Sequence, residues 1–410
     1  MKLAILGYGV VGSGVAGVID RCAKQLQQRT GIDLTVAAIV DVRSFPDDPC
    51  GHLVTADADS VFSNPDIGLV VETIGGIGVA YDFTKKALQA GKHVVTSNKE
   101  LVSTHGPELL RLAAEHRVRY LYEAAVGGGI PLIRPLHKDL AANRIEALAG
   151  IVNGTTNFIL TEMEEQGSAF AACLAEAQAR GYAEQDPAAD IEGLDACRKL
   201  SILASIVAGA HVPAEAIHTE GISQLQAADT ALAKALGYHL KLIASLKRTA
   251  DDRFSLIVAP HLLAPRHALA GVNGVFNAVQ VTGDSVGDVL FYGQGAGTWP
   301  TASAVVADVI DLATTPYAPA DRELWEPIEP TRLIPHAEAT VQAVLRLAQA
   351  EGKAADELLA LLPAGTAEKQ TAPDGTPYLL VGHDQKLTEG DLAAALAQLE
   401  QQEIGLLRIL

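Results

Sequence analysis

A short apolar run, residues 2–6, leads straight into Gly7-Tyr8-Gly9-Val10-Val11-Gly12. Three glycines at this spacing, after a strand and before a helix, constrain the fold more than any other stretch. The first allows a sharp turn, the second lets the backbone approach a pyrophosphate, and the third lets helix and strand pack closely. The helix that follows, read over 15–29, offers its N-terminal N–H groups to phosphate. A second strand over 34–40 ends at Asp41. A carboxylate there binds ribose hydroxyls and disfavours a 2′-phosphate, whereas Arg43, two residues on, could accommodate one. The pattern predicts a dinucleotide site with Gly7, Gly9, Val11, Gly12 and Asp41 as contacts, NAD being favoured over NADP.

The alternation continues. A strand over 68–72 breaks at Gly75-Gly76, a helix covers 82–90, and a strand over 92–96 ends in Ser97-Asn98-Lys99. Strands alternating with helices imply a doubly wound parallel sheet, whose ligands bind beyond the carboxyl ends of the strands. Thr73, Thr96 and Lys99 fall at that edge. Residues 120–131, YLYEAAVGGGIP, read as a strand carrying Glu123 and then three glycines, which suit a close backbone approach. A strand over 148–152 runs into Asn153-Gly154-Thr155-Thr156-Asn157, a polar turn that caps a helix over 158–167. Another helix spans about 171–180.

From Gly181 the chain turns acidic, with Glu184, Asp186, Asp190, Glu192 and Asp195, and then becomes an apolar helix from Leu194. Asp195 and Lys199 stand four apart and share a helix face. A lysine held by a carboxylate at the mouth of an apolar helix is a candidate proton-transfer group. An exposed ion pair has the same spacing and does nothing chemical. Burial decides between them.

Beyond this stretch, 236–248 reads as an amphipathic helix and short strands begin near 255. Gly293-Gln294-Gly295-Ala296-Gly297 feeds a helix to about 313, either as a second anion-binding loop or as a plain interdomain turn. From about 321 the pattern is a short strand near 332–334, a helix over 337–350, an apolar strand over 357–362, a strand over 378–381, a helix over 392–401 and a strand over 405–410. That order is βαββαβ, ferredoxin-like. Thr388 and Asp391 form a capping box for the last helix.

The 410-residue chain carries a formal charge of −18 and no basic run, which argues against nucleic acid as a partner. No apolar stretch has the length of a bilayer span, and Met-Lys leads directly into the first strand, leaving no room for a signal peptide. The four cysteines are far apart and form no CxxC pair, as expected of reduced thiols in a cytoplasmic protein.

The motifs GYGVVGSGV, VVETIGG, AGKHVVTSNKEL, YEAAVGGGIPLI, GIVNGTTNFIL, GYAEQDPAADIEGLDACRKLSIL and GQGAGTWPTASAVV, in this order, resemble the homoserine dehydrogenase family over about residues 1–313. The resemblance implies α/β architecture. A Rossmann-type doubly wound parallel sheet covers 1–130, an α+β substrate and dimerisation domain 131–320, and a small C-terminal βαββαβ module, divergent and ACT-like, 321–410. It implies reversible nicotinamide-dependent interconversion of L-homoserine and L-aspartate 4-semialdehyde, on the route to threonine and methionine, by a homodimer or homotetramer.

By motif, Lys199 resembles the lysine that shuttles the alcohol proton, with Asp195 as its partner. Lys99 resembles the lysine between nicotinamide and substrate. Glu184 resembles the acid that binds the substrate's amino group, and Asp190 a further pocket acid. Gly181, Thr73, Thr96 and Gly295 match positions near cofactor and substrate. Glu123 and the carbonyls of Val126, Gly128 and Ile130 match a sodium-type cation site. Two departures stand out. Val40 replaces the arginine that many relatives carry before the acid of the second strand, which supports NAD. The tail's LIPHAEATVQAVL lacks the Pro-Gly turn of an effector-binding ACT domain. The other readings are a non-catalytic dinucleotide sensor and a dehydrogenase for another small amino-acid alcohol.

Overall fold

The structure, a computed structural model, describes residues 1–318, 323–347, 353–383, 386–399 and 404–410. Met1–Ala142, Ser201–Ala214 and Phe291–Ile328 make one unit, and Asn143–Leu200, Glu215–Leu290 and Glu329–Leu410 a second. The expected boundary at 320/321 lies outside the described residues, as do the last residues of the helices expected over 337–350 and 392–401. No helix among the described residues is long and apolar enough to cross a membrane.

In the first unit six parallel strands, β1 (Lys2–Leu6), β2 (Thr35–Val40), β3 (Val54–Thr55), β4 (Ile67–Glu72), β5 (His93–Thr96) and β6 (Tyr120–Leu121), lie in the order β3-β2-β1-β4-β5-β6. This is the doubly wound dinucleotide-binding order, with its switch point between β1 and β4. The strands are near-continuous apolar runs because both faces are covered; Leu3, Ile5, Leu69, Val71 and Val95 are buried. The first helix, Val10–Thr30, starts five residues before the helix read from the sequence, with Gly9 as its cap, and ends at left-handed Gly31. The helix Thr298–Thr314, distant in sequence, adds Ala302, Val305 and Val309 to the same core.

Strand β6 stops at Leu121, and Glu123 sits in a 3-10 turn rather than in a strand. The reason is local. The Glu123 N–H donates to the Asp308 carboxylate at 2.8 Å, and the Glu123 carboxylate turns to receive backbone N–H groups further on. Both partners lie off the strand path.

The second unit is built on β7 (Ile145–Ile151), β8 (His218–Thr219), β9 (His239–Arg248), β10 (Phe254–Leu263), β11 (Phe276–Gly283), β12 (Gly287–Gln294), β13 (Ala343–Leu347), β14 (Ala367–Thr371), β15 (Pro377–Val381) and β16 (Ile404–Ile409). They form one sheet in the order β12-β11-β7-β9-β10-β16-β13-β15-β14, with β8 against β10. The helix expected over 236–248 is instead β9, paired with β10 from His239↔Leu263 to Arg248↔Phe254. Its apolar residues fit either period, and burial on both faces removes the alternation that would mark a strand. Pairing on both sides then decides the outcome.

The tail has the βαββαβ order, but its first three elements are displaced. The sequence from 337 holds a 3-10 turn and then β13, and the apolar stretch expected as a strand over 357–362 belongs to the helix Lys353–Leu361. Their spatial order, β16-β13-β15-β14, follows the ferredoxin-like path. Strand β16 joins β10 in parallel, so the tail extends the same sheet. Leu358, Leu379 and Leu392 form its core.

Candidate active site

At the switch point of the first sheet, Gly7 has φ +89°, and a Cβ on it would lie 3.0 Å from the Thr73 carbonyl oxygen. A Cβ on Gly12 would lie 2.0 Å from the Gly7 carbonyl oxygen. The Thr73 hydroxyl donates to that same carbonyl at 2.7 Å, clasping the turn. The glycine cradle therefore fits a pyrophosphate, as the spacing requires. Val11 is half-buried against the core.

Asp41, past the end of β2, accepts from the Tyr8 N–H at 2.7 Å and from the Arg43 N–H at 2.9 Å. Arg43 also forks onto it through Nε at 3.0 Å and Nη2 at 2.8 Å. The hydrogen bonds from the Arg43 guanidinium hold the Asp41 carboxyl far below the usual carboxylate range. The acid and the arginine that the sequence set in opposition are bound to each other.

Behind the carboxyl ends of β4 and β5 lies a residue the sequence reading passed over. Glu72 is fully buried and accepts the Thr96 hydroxyl at 2.5 Å and the Ile74 N–H at 2.6 Å. Burial pushes its carboxyl up to about 7. Thr96 in turn accepts the Asn98 N–H at 2.9 Å. Asn98 donates to the carbonyls of Ile74 and Gly76 and caps the helix Lys99–Glu115 by accepting the Leu101 N–H. Lys99 is thus the first residue of a firmly capped helix, half-buried at the edge where it was expected.

The three glycines have a definite use. Gly127 and Gly128 adopt φ of +76° and +57°. A Cβ on Gly128 would lie 2.3 Å from the Gly295 carbonyl oxygen, and one on Gly129 would lie 2.7 Å from the Pro300 Cβ. The two glycine loops pack backbone against backbone.

Glu123, 2% exposed, accepts the N–H groups of Leu132 at 2.6 Å, Ile133 at 2.7 Å and Arg134 at 2.7 Å. Of about four lone-pair directions on a carboxylate, these bonds occupy three. No backbone hydrogen bond among the described residues ends on the carbonyls of Val126, Gly128 or Ile130. One carboxylate direction and three carbonyls make an oxygen-only donor set of the kind a hard cation takes. Asp308 beside it is pushed up to about 7 by burial and by the Glu123 charge.

In the second unit Lys199 donates to Asp195 Oδ2 at 2.6 Å and to the Val152 carbonyl at 2.7 Å. Lys199 is 8% exposed and Asp195 3%. The i,i+4 pair is buried, not a solvated surface pair. Asn153 joins it: its side-chain amide donates to Asp195 Oδ2 at 2.9 Å and to Asp190 Oδ1 at 2.8 Å. The sequence marked Asn153 only as a cap, which it is, accepting the Thr156 N–H at 2.8 Å. Its reach across to two acids far along the chain had no sequence signal. Glu184 is exposed, and Gly181, at φ +74°, closes the helix before it. The Thr155 hydroxyl donates to the Tyr182 carbonyl at 2.7 Å, fixing this turn against the capped end that carries Asn153.

His218, Glu220 and His336 also gather in this unit, a cluster the sequence did not announce. The two imidazoles stack face to face at 3.5 Å with an interplanar angle of 4°, and Arg408 forks onto Glu220 at 2.6 and 2.7 Å. A metal lies in the plane of each imidazole it binds, so parallel rings cannot share one. The cluster is an ion-pair junction.

A parallel sheet in this order, a glycine cradle at its switch point and a buried lysine–carboxylate pair define a nicotinamide-dinucleotide-dependent oxidoreductase. Residues 7–123 match the homoserine dehydrogenase NAD binding domain and residues 131–310 the homoserine dehydrogenase domain. The chain belongs to the homoserine dehydrogenase family. The homoserine dehydrogenase of Pseudomonas aeruginosa is 49% identical over 313 residues, 76% of this chain and 72% of that one. That of Neisseria gonorrhoeae is 45% identical over 316 residues, 76% and 72% of the two chains. The crystal structure of a homoserine dehydrogenase from Thiobacillus denitrificans superposes with a TM-score of 0.88 at 36% identity, covering 100% of this chain and 98% of that one. A hyperthermophilic archaeal homoserine dehydrogenase in complex with NADPH gives 0.65 at 26% identity, covering 76% and 97%.

Proposed function

We infer that Lys199 is the proton-handling group of the homoserine dehydrogenase reaction, the reversible NAD(P)-dependent interconversion of L-homoserine and L-aspartate 4-semialdehyde. The observation that carries this reading is the burial of its ammonium between the Asp195 carboxylate and the Val152 carbonyl. An ammonium has three donors; two are spent on these oxygens, and the third serves the substrate oxygen. The nicotinamide, when bound, accepts or returns the hydride at the carbon that bears that oxygen. As the alcohol is oxidised, neutral Lys199 takes the O–H proton. In the reverse direction the ammonium gives it back. Asp195 and the Val152 carbonyl hold the lysine nitrogen in place for both transfers.

Glu184 and Asp190 supply negative charge for the substrate ammonium, and Lys99 and Gly181 are further substrate-binding residues. Gly7, Gly9, Val11, Gly12, Thr73, Thr96, Lys99 and Gly295 serve the cofactor. Asp41 sets its preference toward NAD. Glu123 with the carbonyls of Val126, Gly128 and Ile130 holds a sodium-type cation. In this reading residues 1–130 bind cofactor, 131–320 bind substrate and assemble the protein, and 321–410 form an ACT-like module. The assembly is a homodimer or homotetramer in the cytoplasm.

The test is turnover of L-homoserine with each cofactor. Lys199→Ala should lose roughly 10²–10⁴-fold in kcat while NAD(P)H binding, followed by fluorescence, stays close to that of the unaltered chain. Near-normal turnover would remove Lys199 from the reaction.

A further inference from the structure

We propose that Asn153 is a positioning residue for this chemistry, its side-chain amide tying Asp190 to Asp195 and so fixing the carboxylate that holds Lys199. The inference rests on the reading of Lys199 given above. Asn153 is 6% exposed, and every polar atom of its side chain is engaged. Its oxygen accepts the Thr156 N–H at 2.8 Å and the Thr156 hydroxyl at 3.0 Å. Its nitrogen donates to Asp190 Oδ1 at 2.8 Å and to Asp195 Oδ2 at 2.9 Å. Only one orientation of an amide satisfies a helix N–H on one side and two carboxylates on the other. The cap therefore dictates which way the N–H groups point.

The geometry around the lysine is closed by the same two residues. Asp195 Oδ2 receives both Lys199 Nζ and Asn153 Nδ2, and the carbonyl of Val152, the preceding residue, receives Lys199 as well. Residues 152 and 153 thus grip the lysine directly and through its counter-ion. The charged groups involved are Asp195 on the lysine's own helix and Asp190 on the short helix Ala188–Ile191. Without the amide, the hydrogen bonds that join Asp190 to Asp195 are lost, and Lys199 remains on Asp195 Oδ2.

A cap can be kept while the bridge is removed. Ser and Asp both serve as N-caps as well as Asn does, and neither carries the amide N–H pair. Asn153→Ser should keep the melting temperature and NAD(P)H affinity close to those of the unaltered chain, whereas Asn153→Asp, which buries a third carboxylate beside two others, should lower the melting temperature. In both, kcat for L-homoserine oxidation should fall about 10–100-fold, the scale of a misplaced catalytic group. The loss should fall on kcat rather than on KM for L-homoserine, as a misplaced proton-transfer group requires and a loosened fold does not. Unchanged kcat in Asn153→Ser, or a loss carried by KM alone, would reduce the residue to a cap and overturn the proposal. So would a loss of activity in Asn153→Ser that tracks a loss of melting temperature. Failure of the underlying reading shows separately, as retained turnover in Lys199→Ala.

Discussion

Asp41 shows how a single side chain can look decisive and still depend on its neighbour. Its carboxylate is 6% exposed and Arg43, 59% exposed, covers it. In the proposed reading, an NAD ribose bonded to Asp41 competes with the Arg43 fork, and a 2′-phosphate would draw Arg43 away from Asp41. Asp41 stays ionised throughout the physiological range, so its repulsion of a phosphate persists. NAD should therefore give the higher kcat/KM. Asp41→Ser should narrow that ratio by about tenfold, the worth of roughly 1.4 kcal/mol, and Arg43→Ala should widen it. A wild type that strongly prefers NADP would make Arg43 the dominant group.

Among the elements, the glycine loop 127–129 and the loop before the helix Thr298–Thr314 explain each other. Gly128 is left-handed, which costs an L-residue about 1–2 kcal/mol, and its missing Cβ leaves room for the Gly295 carbonyl. Gly128→Ala should lower stability by at least that amount, read as a fall in denaturation midpoint. It should also weaken any dependence of stability on sodium over choline, since the Gly128 carbonyl would move. Equal midpoints for the two chains would show that the loops part without cost. The strand β9 teaches the opposite lesson about elements. Lys241 at its centre is fully buried, bonded to the Val272 carbonyl at 2.8 Å and to Asn273 Oδ1 at 2.8 Å, and burial pushes it down to about 8. A lysine in that position reads from sequence as the polar face of a helix.

At the scale of the whole molecule the tail is joined to its unit by covered charges as well as by strand pairing. Arg346 on β13 donates to Asp229 at 2.6 Å, with side-chain exposures of 8% and 3%. Arg408 on β16 bridges Glu220 and Glu389. Removing one partner of a buried pair costs about 3–5 kcal/mol, so Arg346→Met should lower the denaturation midpoint sharply. If the tail also serves assembly, that variant should lower the mass per particle in light scattering. L-Threonine should inhibit the unaltered chain weakly or not at all. Strong threonine inhibition would falsify the no-effector reading of the tail, and an unchanged mass would separate the tail from assembly.

What the amino-acid order determined alone is whatever depends on neighbours a few residues apart. The glycine turn after β1, the alternation that yields a parallel sheet, the last strand, helix and strand of the tail and the spacing of Asp195 and Lys199 are all of that kind, because backbone freedom, helix period and capping act over one or two turns. What only the tertiary structure decided depends on residues far apart. It made β9 a strand by pairing it on both sides, and it turned β6 aside at Glu123 by offering the Asp308 carboxylate. It also buried the Asp195–Lys199 pair and brought Asn153 across to two acids some forty residues away. Burial and long-range hydrogen bonds are properties of the packed chain, and no local period encodes them.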